Sequence, residues 1–185
     1  MKTLPVLLKD GYKVGHKFQY PEGTTLVYSN FTPRKSRNAE LNEIVFFGLQ
    51  YFIKEYLIRQ FDENFFQLPK EEVMRLYKRR IDNYLGKDSI MYDHIEALHD
   101  LGYLPLEIKA LPEGSRVPMR VPVLTIWNTK PEFFWVTNML ETLMSAILWK
   151  PSTSATTAFE YLETFTRYAQ ETVGEDLSFI PWQGH

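Results

Sequence analysis

Residues 106–128, LEIKALPEGSRVPMRVPVLTIWN, form the segment in which the apolar pattern changes from helical to strand spacing. Apolar and polar side chains alternate from Leu106 to Leu111, which predicts a strand with one buried face. Residues 112–115, Pro-Glu-Gly-Ser, predict a turn, and residues 121–128 predict the partner strand. Because Pro122 has no amide hydrogen to donate, the partner should begin at a sheet edge or at an irregular position.

The remaining chain is mostly helical in pattern. A β-branched and aromatic run over residues 24–32 predicts one more strand. Helices are predicted over residues 41–61, 69–85 and 89–101, from Pro131 with Thr129 as its cap, and over residues 153–173 with Gly174 as the stop. The sequence therefore predicts a mixed α/β or α+β unit in which helices dominate.

Composition restricts the functional classes. The 185 residues are 44% hydrophobic, carry a net charge of −2 and include no cysteine. This charge gives no electrostatic case for nucleic acid or an anionic membrane, and thiol catalysis and disulfides are excluded. The N-terminal apolar stretch is closed early by Lys9 and Asp10, so no signal peptide is expected. No apolar run reaches the ~20 residues that span a bilayer, and a cytoplasmic protein is expected.

The densest group of reactive side chains lies in residues 10–16, Asp-Gly-Tyr-Lys-Val-Gly-His. A flat aromatic ligand could stack on Tyr12 while Asp10 accepts a hydrogen bond from an amide or amine. The alternative is a helix start in which Asp10 is the N-cap and Tyr12 is packed. The residues alone favour this alternative.

Three further clusters have competing interpretations. Residues 34–37, Arg-Lys-Ser-Arg, could bind phosphate through the guanidinium forks or form a solvated basic loop. The apolar run of residues 133–149 is interrupted by Asn138 and Glu141, and a core or subunit-interface helix is favoured over a cofactor box. His94 and His99 are five residues apart and do not share a helix face, so no metal site is predicted.

These segments together resemble the opening of nicotinamide phosphoribosyltransferases. DGYKVGHKFQYPEGT and VYSNFTPR are similar to that family's D-S-Y-K-x-x-H-x-x-Q-Y-P block and its Y-S-x-F-x-x-R strand. VFFGLQYFIKEYL, LPLEIKALPEG and NTKPEFFWVTNMLETLMSAILWKPSTSAT follow in the family's order. The resemblance covers almost the whole chain and is closer to the nicotinamide branch than to the nicotinate-specific branch.

The resemblance implies roles for three residues. Asp10 matches the aspartate that favours the neutral carboxamide over the nicotinate carboxylate. Tyr12 matches the tyrosine that stacks on the pyridine ring, and Arg34 matches an arginine near the phosphates of the donor. No catalytic residue and no metal ligand is assigned to this chain; Mg²⁺ is implied as the family's cofactor, with ligands elsewhere.

The family's reaction is the transfer of a phosphoribosyl group from phosphoribosyl pyrophosphate to nicotinamide in NAD salvage. The fold it implies is the N-terminal sheet-and-helix domain of a type II phosphoribosyltransferase, with the α/β barrel largely missing. The implied partners are nicotinamide, phosphoribosyl pyrophosphate, and either a second copy in a homodimer or a complementing C-terminal polypeptide.

Departures from the family pattern limit what this chain is expected to do. Gly11 stands where serine is usual, and Thr32-Pro33 replaces a pair that usually contains Glu. His185 matches the first residue of the family's H-D-F-G-x-R-G block, so residues 1–185 are expected to be an N-terminal domain truncated at the barrel's active-site motif. We expect the isolated chain to be inactive. Alternatives are a non-catalytic binding, dimerisation or regulatory module, and a variant that uses an ADP-ribosyl donor to make NAD directly.

Overall fold

Five short strands form two antiparallel sheets in a computed structural model that describes residues 3–172, 174 and 178–182. The strands are β1 (Tyr28–Phe31), β2 (Glu43–Val45), β3 (Leu106–Ala110), β4 (Arg116–Pro118) and β5 (Leu124–Asn128). The larger sheet has the order β1-β5-β3, with Tyr28 opposite Trp127 and Ile108 opposite Ile126. The smaller sheet pairs β2 with β4.

The helices lie between and after these strands. The first, α1 (Leu49–Tyr51), continues into wider π-helical turns over Phe52–Gln60 and Asp62–Phe66. The others are α2 (Lys70–Leu85), α3 (Asp93–Leu101), α4 (Val136–Met139) and α5 (Glu141–Thr172). Short 3₁₀ turns cover Pro5–Leu7, Gly11–Val14, His16–Gln19, Pro131–Phe133 and Ile180–Trp182.

The predicted strand pair is confirmed, and it gives the central and one outer strand of the larger sheet. β5 begins only at Leu124, two residues after Pro122, because the proline cannot donate to a ladder. The residues between the predicted turn and this strand were missed: Arg116–Pro118 is itself a strand, and it pairs in the smaller sheet. The mixed helix-and-sheet class is also confirmed.

The helix predicted over residues 41–61 is wrong at its start. Residues 43–45 form β2, and the helix begins at Leu49, after Gly48 with φ +105°. This left-handed backbone cannot continue a helix, and it is the conformation that glycine adopts at little cost. The helix then runs on to Phe66, five residues beyond the predicted end.

The helix predicted over residues 153–173 begins much earlier, at Glu141, and passes through Pro151. Gly174 ends it as predicted, with φ +90° and its amide donating to the Ala169 carbonyl at 3.1 Å. Thr129 was wrong as a cap, because the element that follows is a 3₁₀ turn whose N-cap position is Lys130 and has no side-chain cap.

Two apolar cores hold these elements together. One joins α2 and α3 to the segment around α4, and its fully buried members include Phe65, Tyr77, Leu98 and Val136. The other lies between the sheets, α1 and the first half of α5. Within the described residues, no helix is long and apolar enough to cross a membrane.

Candidate functional site

The Asp10 carboxylate is held by a residue that is far away in sequence. Thr142 Oγ1 donates to Asp10 Oδ2 at 2.8 Å, and the Asp10 amide donates to the same hydroxyl oxygen at 3.2 Å. Thr142 lies in the first turn of α5. Asp10 remains exposed, so its carboxylate is oriented by the protein and still open to solvent.

Lys13, one turn after Asp10, fixes the segment to the rest of the chain at a second point. Its side chain is buried, with the residue only 4% exposed, and its ammonium pairs with the Glu141 carboxylate. Tyr12 lies between the two anchors, and its ring is 61% exposed. The backbone on both sides of Tyr12 is therefore fixed while the ring itself is available to a ligand.

The end of the segment is tied to the larger sheet through Asn138. Asn138 Nδ2 donates to the Tyr20 hydroxyl at 2.6 Å, and Ser29 Oγ of β1 donates to Asn138 Oδ1 at 2.9 Å. The Tyr20 ring also meets Phe134 edge-on at 5.1 Å. Residues 10–20 thus lie along the 138–142 region, with β1 close by.

The alternative in which Asp10 begins a helix as its N-cap and Tyr12 is packed is met only in the position of Asp10, since Tyr12 is exposed. Asp10 does precede a 3₁₀ turn, Gly11–Val14, but its side chain makes no capping hydrogen bond. Thr142 takes that carboxylate instead. The ring interactions of Tyr12 with described residues are those with Lys13, whose amine is 5.1 Å from the ring centroid, and with His16, whose ring centroid is 6.2 Å away.

Arg34 lies on the loop that follows β1. The loop is fixed just before it, where the Arg120 amide donates to the Pro33 carbonyl at 2.7 Å. The Arg34 side chain is exposed and forms no hydrogen bond or ion pair with the described residues. No hydrogen bond, ion pair or ring contact joins it to Asp10 or Tyr12 in the described part of the chain.

Gly11 has a structural reason to lack a side chain. A Cβ at this position would lie 2.2 Å from the Tyr84 hydroxyl oxygen and 2.7 Å from Cζ of the same ring. Tyr84, near the end of α2, therefore occupies the space that a serine side chain would need. The family's serine is replaced here by a contact between Gly11 and an aromatic ring.

His94 and His99 have partners other than a metal. His94 is 5% exposed and lies edge-on to Trp135 at 4.8 Å, and burial lowers the pKa of its imidazole to about 3. His99 is bonded to the Leu68 carbonyl at 2.9 Å. Nowhere in residues 3–172 or the described tail do three His, Asp or Glu side chains come together as metal ligands.

Sequence reasoning missed Thr142 and the anchoring roles of Asn138 and Glu141. A signal was present, because Asn138 and Glu141 are the polar residues that interrupt the apolar run of residues 133–149. A polar residue within a buried helix needs a partner, and here both partners are in the N-terminal segment. His185, the other residue singled out, lies outside the described residues.

Comparisons with known proteins identify the family and relatives of this chain. The family described as "Nicotinamide phosphoribosyltransferase, N-terminal domain" matches residues 5–108. A nicotinamide phosphoribosyltransferase of Acinetobacter baylyi is 56% identical over 186 residues, which cover 98% of this chain and 37% of the relative. The Xanthomonas campestris protein of the same name is 30% identical over 97% of this chain and 36% of its own length.

Among solved structures, human nicotinic acid phosphoribosyltransferase matches with a TM-score of 0.59 and 18% identity over 92% of this chain and 29% of that chain. At this identity the likeness concerns the fold alone. The fold is that of part of a type II phosphoribosyltransferase, as predicted. The chain spans a little over a third of the length of the two bacterial relatives.

Proposed function

Because the chain belongs to the nicotinamide phosphoribosyltransferase family, we propose that it supplies the N-terminal domain of an NAD-salvage enzyme. The enzyme would transfer a phosphoribosyl group from phosphoribosyl pyrophosphate to nicotinamide and release nicotinamide mononucleotide and pyrophosphate. The observation that carries the proposal is the presentation of Asp10 and Tyr12, two exposed groups on a segment anchored to α5.

In this proposal, Tyr12 and Asp10 recognise nicotinamide. The exposed Tyr12 ring offers a stacking surface for pyridine. The Asp10 carboxylate accepts from the carboxamide nitrogen and repels the carboxylate of nicotinate. Thr142 supports this role because its hydrogen bond fixes one carboxylate oxygen and leaves the other free to face a ligand.

Arg34 is assigned to the donor phosphates. Its guanidinium is exposed and forms no ion pair with the described residues, so its donors are available to an oxyanion. Mg²⁺ would neutralise the departing pyrophosphate in the family's reaction. The described residues do not form a site for Mg²⁺. Its ligands would come from the donor and from residues outside this chain.

The reaction forms a bond between the nicotinamide ring nitrogen and the anomeric carbon, and the bond from that carbon to pyrophosphate breaks. Pyrophosphate leaves with the bonding electron pair. The contribution of this chain is positioning, because stacking and a single oriented hydrogen bond set the direction in which the ring nitrogen points. Charge stabilisation at the sugar would come from residues outside this chain.

Asp10, Tyr12 and Arg34 would complete a site in another subunit or in a complementing polypeptide. The exposure of all three side chains supports this assignment. We propose a homodimer of the complete enzyme and a cytoplasmic location. Nucleic acid and membranes are not proposed as partners, since the net charge is −2.

A chimera tests the proposed activity. This chain replaces the matching region of the Acinetobacter baylyi relative, and nicotinamide mononucleotide formation is measured by liquid chromatography from nicotinamide and phosphoribosyl pyrophosphate. We expect an active chimera, and no product from the purified 185-residue chain alone above a no-protein control. A correctly folded dimeric chimera without activity would contradict the proposal.

Substitutions in the chimera test the assigned roles. Asp10→Asn keeps the size but removes the charge, and should lower kcat/KM for nicotinamide at least about tenfold while raising the relative use of nicotinate. Tyr12→Ala should raise KM, whereas Tyr103→Ala, another exposed tyrosine, should not. Arg34→Gln should raise KM for the donor, with Arg75→Gln, an exposed arginine of α2, as the matched control. Equal effects of each variant and its control would refute the assignments.

A further inference from the structure

A cleft lies beside the N-terminal segment, on the side of α2. It has a volume of about 410 Å³ and runs between residues 7–14 and the last two turns of that helix. Asp10, Tyr12 and Arg34 do not line it, so it is separate from the site proposed for nicotinamide and the donor. Its polar wall is formed by Lys9, Arg80, Asn83 and Tyr84.

The cleft has two cations and no acidic lining residue. Lys9 is half-buried, its amine lies 5.7 Å from the centroid of the Tyr77 ring, and it has no ion pair with the described residues. Arg80 is exposed and has no hydrogen bond or ion pair with the described residues. Burial alone lowers the pKa of the Lys9 amine to about 8, which is the behaviour of an ammonium without a counterion.

Two other lysines with buried or half-buried side chains have counterions. Lys13 is more deeply buried, and it has Glu141. Lys78, two residues before Arg80 on the same helix, pairs with Asp82 at 2.7 Å and also with Asp88. Lys9 differs from these two lysines in having no carboxylate partner among the described residues, and a bound anion would supply the missing counterion.

Two neutral donors complete the wall. The Asn83 amide and the Tyr84 hydroxyl have no partner in the described residues. The position of the Tyr84 ring depends on Gly11, since any Cβ there would lie 2.2 Å from the hydroxyl oxygen. The absence of a side chain at Gly11 leaves the space in which this hydroxyl lies at the cleft.

We propose that the cleft formed by Lys9, Arg80, Asn83 and Tyr84 binds a phosphoryl group, either as free phosphate or as a phosphate monoester. A doubly charged anion balances the two cations of the cleft. The cleft wall also offers more hydrogen-bond donors than a single carboxylate ligand could accept. Arginine provides the bidentate fork, and lysine provides a point charge. The ligand is held by one face of the cleft because the other side is open to solvent.

The test is a titration of the ¹⁵N-labelled 185-residue chain with inorganic phosphate at pH 7 and constant ionic strength, followed by NMR. Saturable shifts are expected at the amides of Gly11, Asn83 and Tyr84. Lys9→Met and Arg80→Gln should each weaken binding at least about tenfold, as loss of a charge-assisted hydrogen bond implies. Arg79→Gln removes a neighbouring cation that does not line the cleft and should leave the Kd unchanged.

Methyl phosphate is the second arm. A Kd equal to that of phosphate identifies the phosphoryl group as the ligand, and tighter binding of the ester identifies a monoester. Linear shifts with both compounds, or a Kd that is the same in wild type, Lys9→Met and Arg80→Gln, would overturn the proposal. Because Arg80 is exposed, Arg80→Gln keeps the test valid even if Lys9→Met unfolds.

Sulfate, whose charge is constant above pH 7, tests the role of the Lys9 proton. This amine lies over the Tyr77 ring, Arg80 and Tyr84 line the same cleft, and the charge of the amine also lowers the pKa of His94. Since a free amine no longer attracts an anion, sulfate affinity should fall as the pH rises from 7 to 9.5 in wild type. It should stay flat in Lys9→Met, and a parallel fall in both would refute the role of Lys9.

Discussion

The Tyr77 hydroxyl lies inside the core without a partner, and its removal should stabilise the chain. Tyr77 is 0% exposed, and its oxygen has no hydrogen bond among the described residues. A buried polar group of this kind costs about 1–3 kcal/mol in lost hydration. Tyr77→Phe keeps the ring in place and removes only the oxygen, whose small packing contribution offsets part of the gain. We expect the free energy of unfolding to rise by about 1 kcal/mol.

Urea unfolding followed by tryptophan fluorescence measures this change. In urea, this gain should raise the midpoint and leave the m-value unchanged. In thermal unfolding, a gain of about 1 kcal/mol should raise Tm by about 2–4 °C in a chain of this size. Tyr103→Phe is the control, because that exposed hydroxyl should contribute within about 0.5 kcal/mol of zero. A loss of 1 kcal/mol or more in Tyr77→Phe would refute the reasoning, since the hydroxyl would then have a partner such as an internal water.

Alkaline pH offers an independent check of the same group. Burial raises the pKa of the Tyr77 hydroxyl above its ordinary value. The folded state therefore keeps the proton that the unfolded chain loses above pH ~10, and stability falls as the pH rises through that value. Tyr77→Phe should show a shallower loss of stability between pH 10 and 11 than wild type.

Three further substitutions test other parts of the structure. Burial lowers the pKa of His94 to about 3, so the unfolded chain takes up the proton at a higher pH than the folded chain does. The free energy of unfolding of the wild type should therefore fall by about 2 kcal/mol between pH 8 and pH 5. His94→Phe should flatten this part of the curve of stability against pH. Gly48→Ala should cost at least about 1 kcal/mol in urea unfolding, because its φ is +105° and a Cβ would lie 3.1 Å from Pro151. Glu113 accepts from the amides of Gly48 and Gln50 at 2.8 and 3.0 Å, so Glu113→Ala should cost about 1 kcal/mol, and no change in the urea midpoint would contradict its capping role.

The elements that were predictable from sequence are those specified by local pattern. The helix of residues 70–85 has a proline before it, acidic residues in its first turn and a glycine after it, and it was located to within one residue. β3 has the period of two that one buried face requires. In each case the signal and the structure that it specifies lie within the same twenty residues.

Elements that depend on distant partners were misplaced. Residues 43–45 have an apolar spacing compatible with a helix, and only pairing with β4, about 70 residues away, makes them a strand. The same holds for the candidate site. The residue types drew attention to Asp10 and Tyr12 and the family resemblance suggested their roles, but the exposure of Tyr12 depends on Thr142 and Glu141, which hold the backbone on either side of it.

The strand order β1-β5-β3 also governs the time at which this domain can fold during synthesis. β5 is the middle strand and the last of the three along the chain, so neither neighbour has its partner until Asn128 has left the ribosome. The N-terminal segment waits longer still, because its anchors are Asn138, Glu141 and Thr142. Long-range pairing of this kind gives a high contact order and slow folding. A nascent chain that stalls before α5 would leave Asp10 and Lys13 without their partners Thr142 and Glu141.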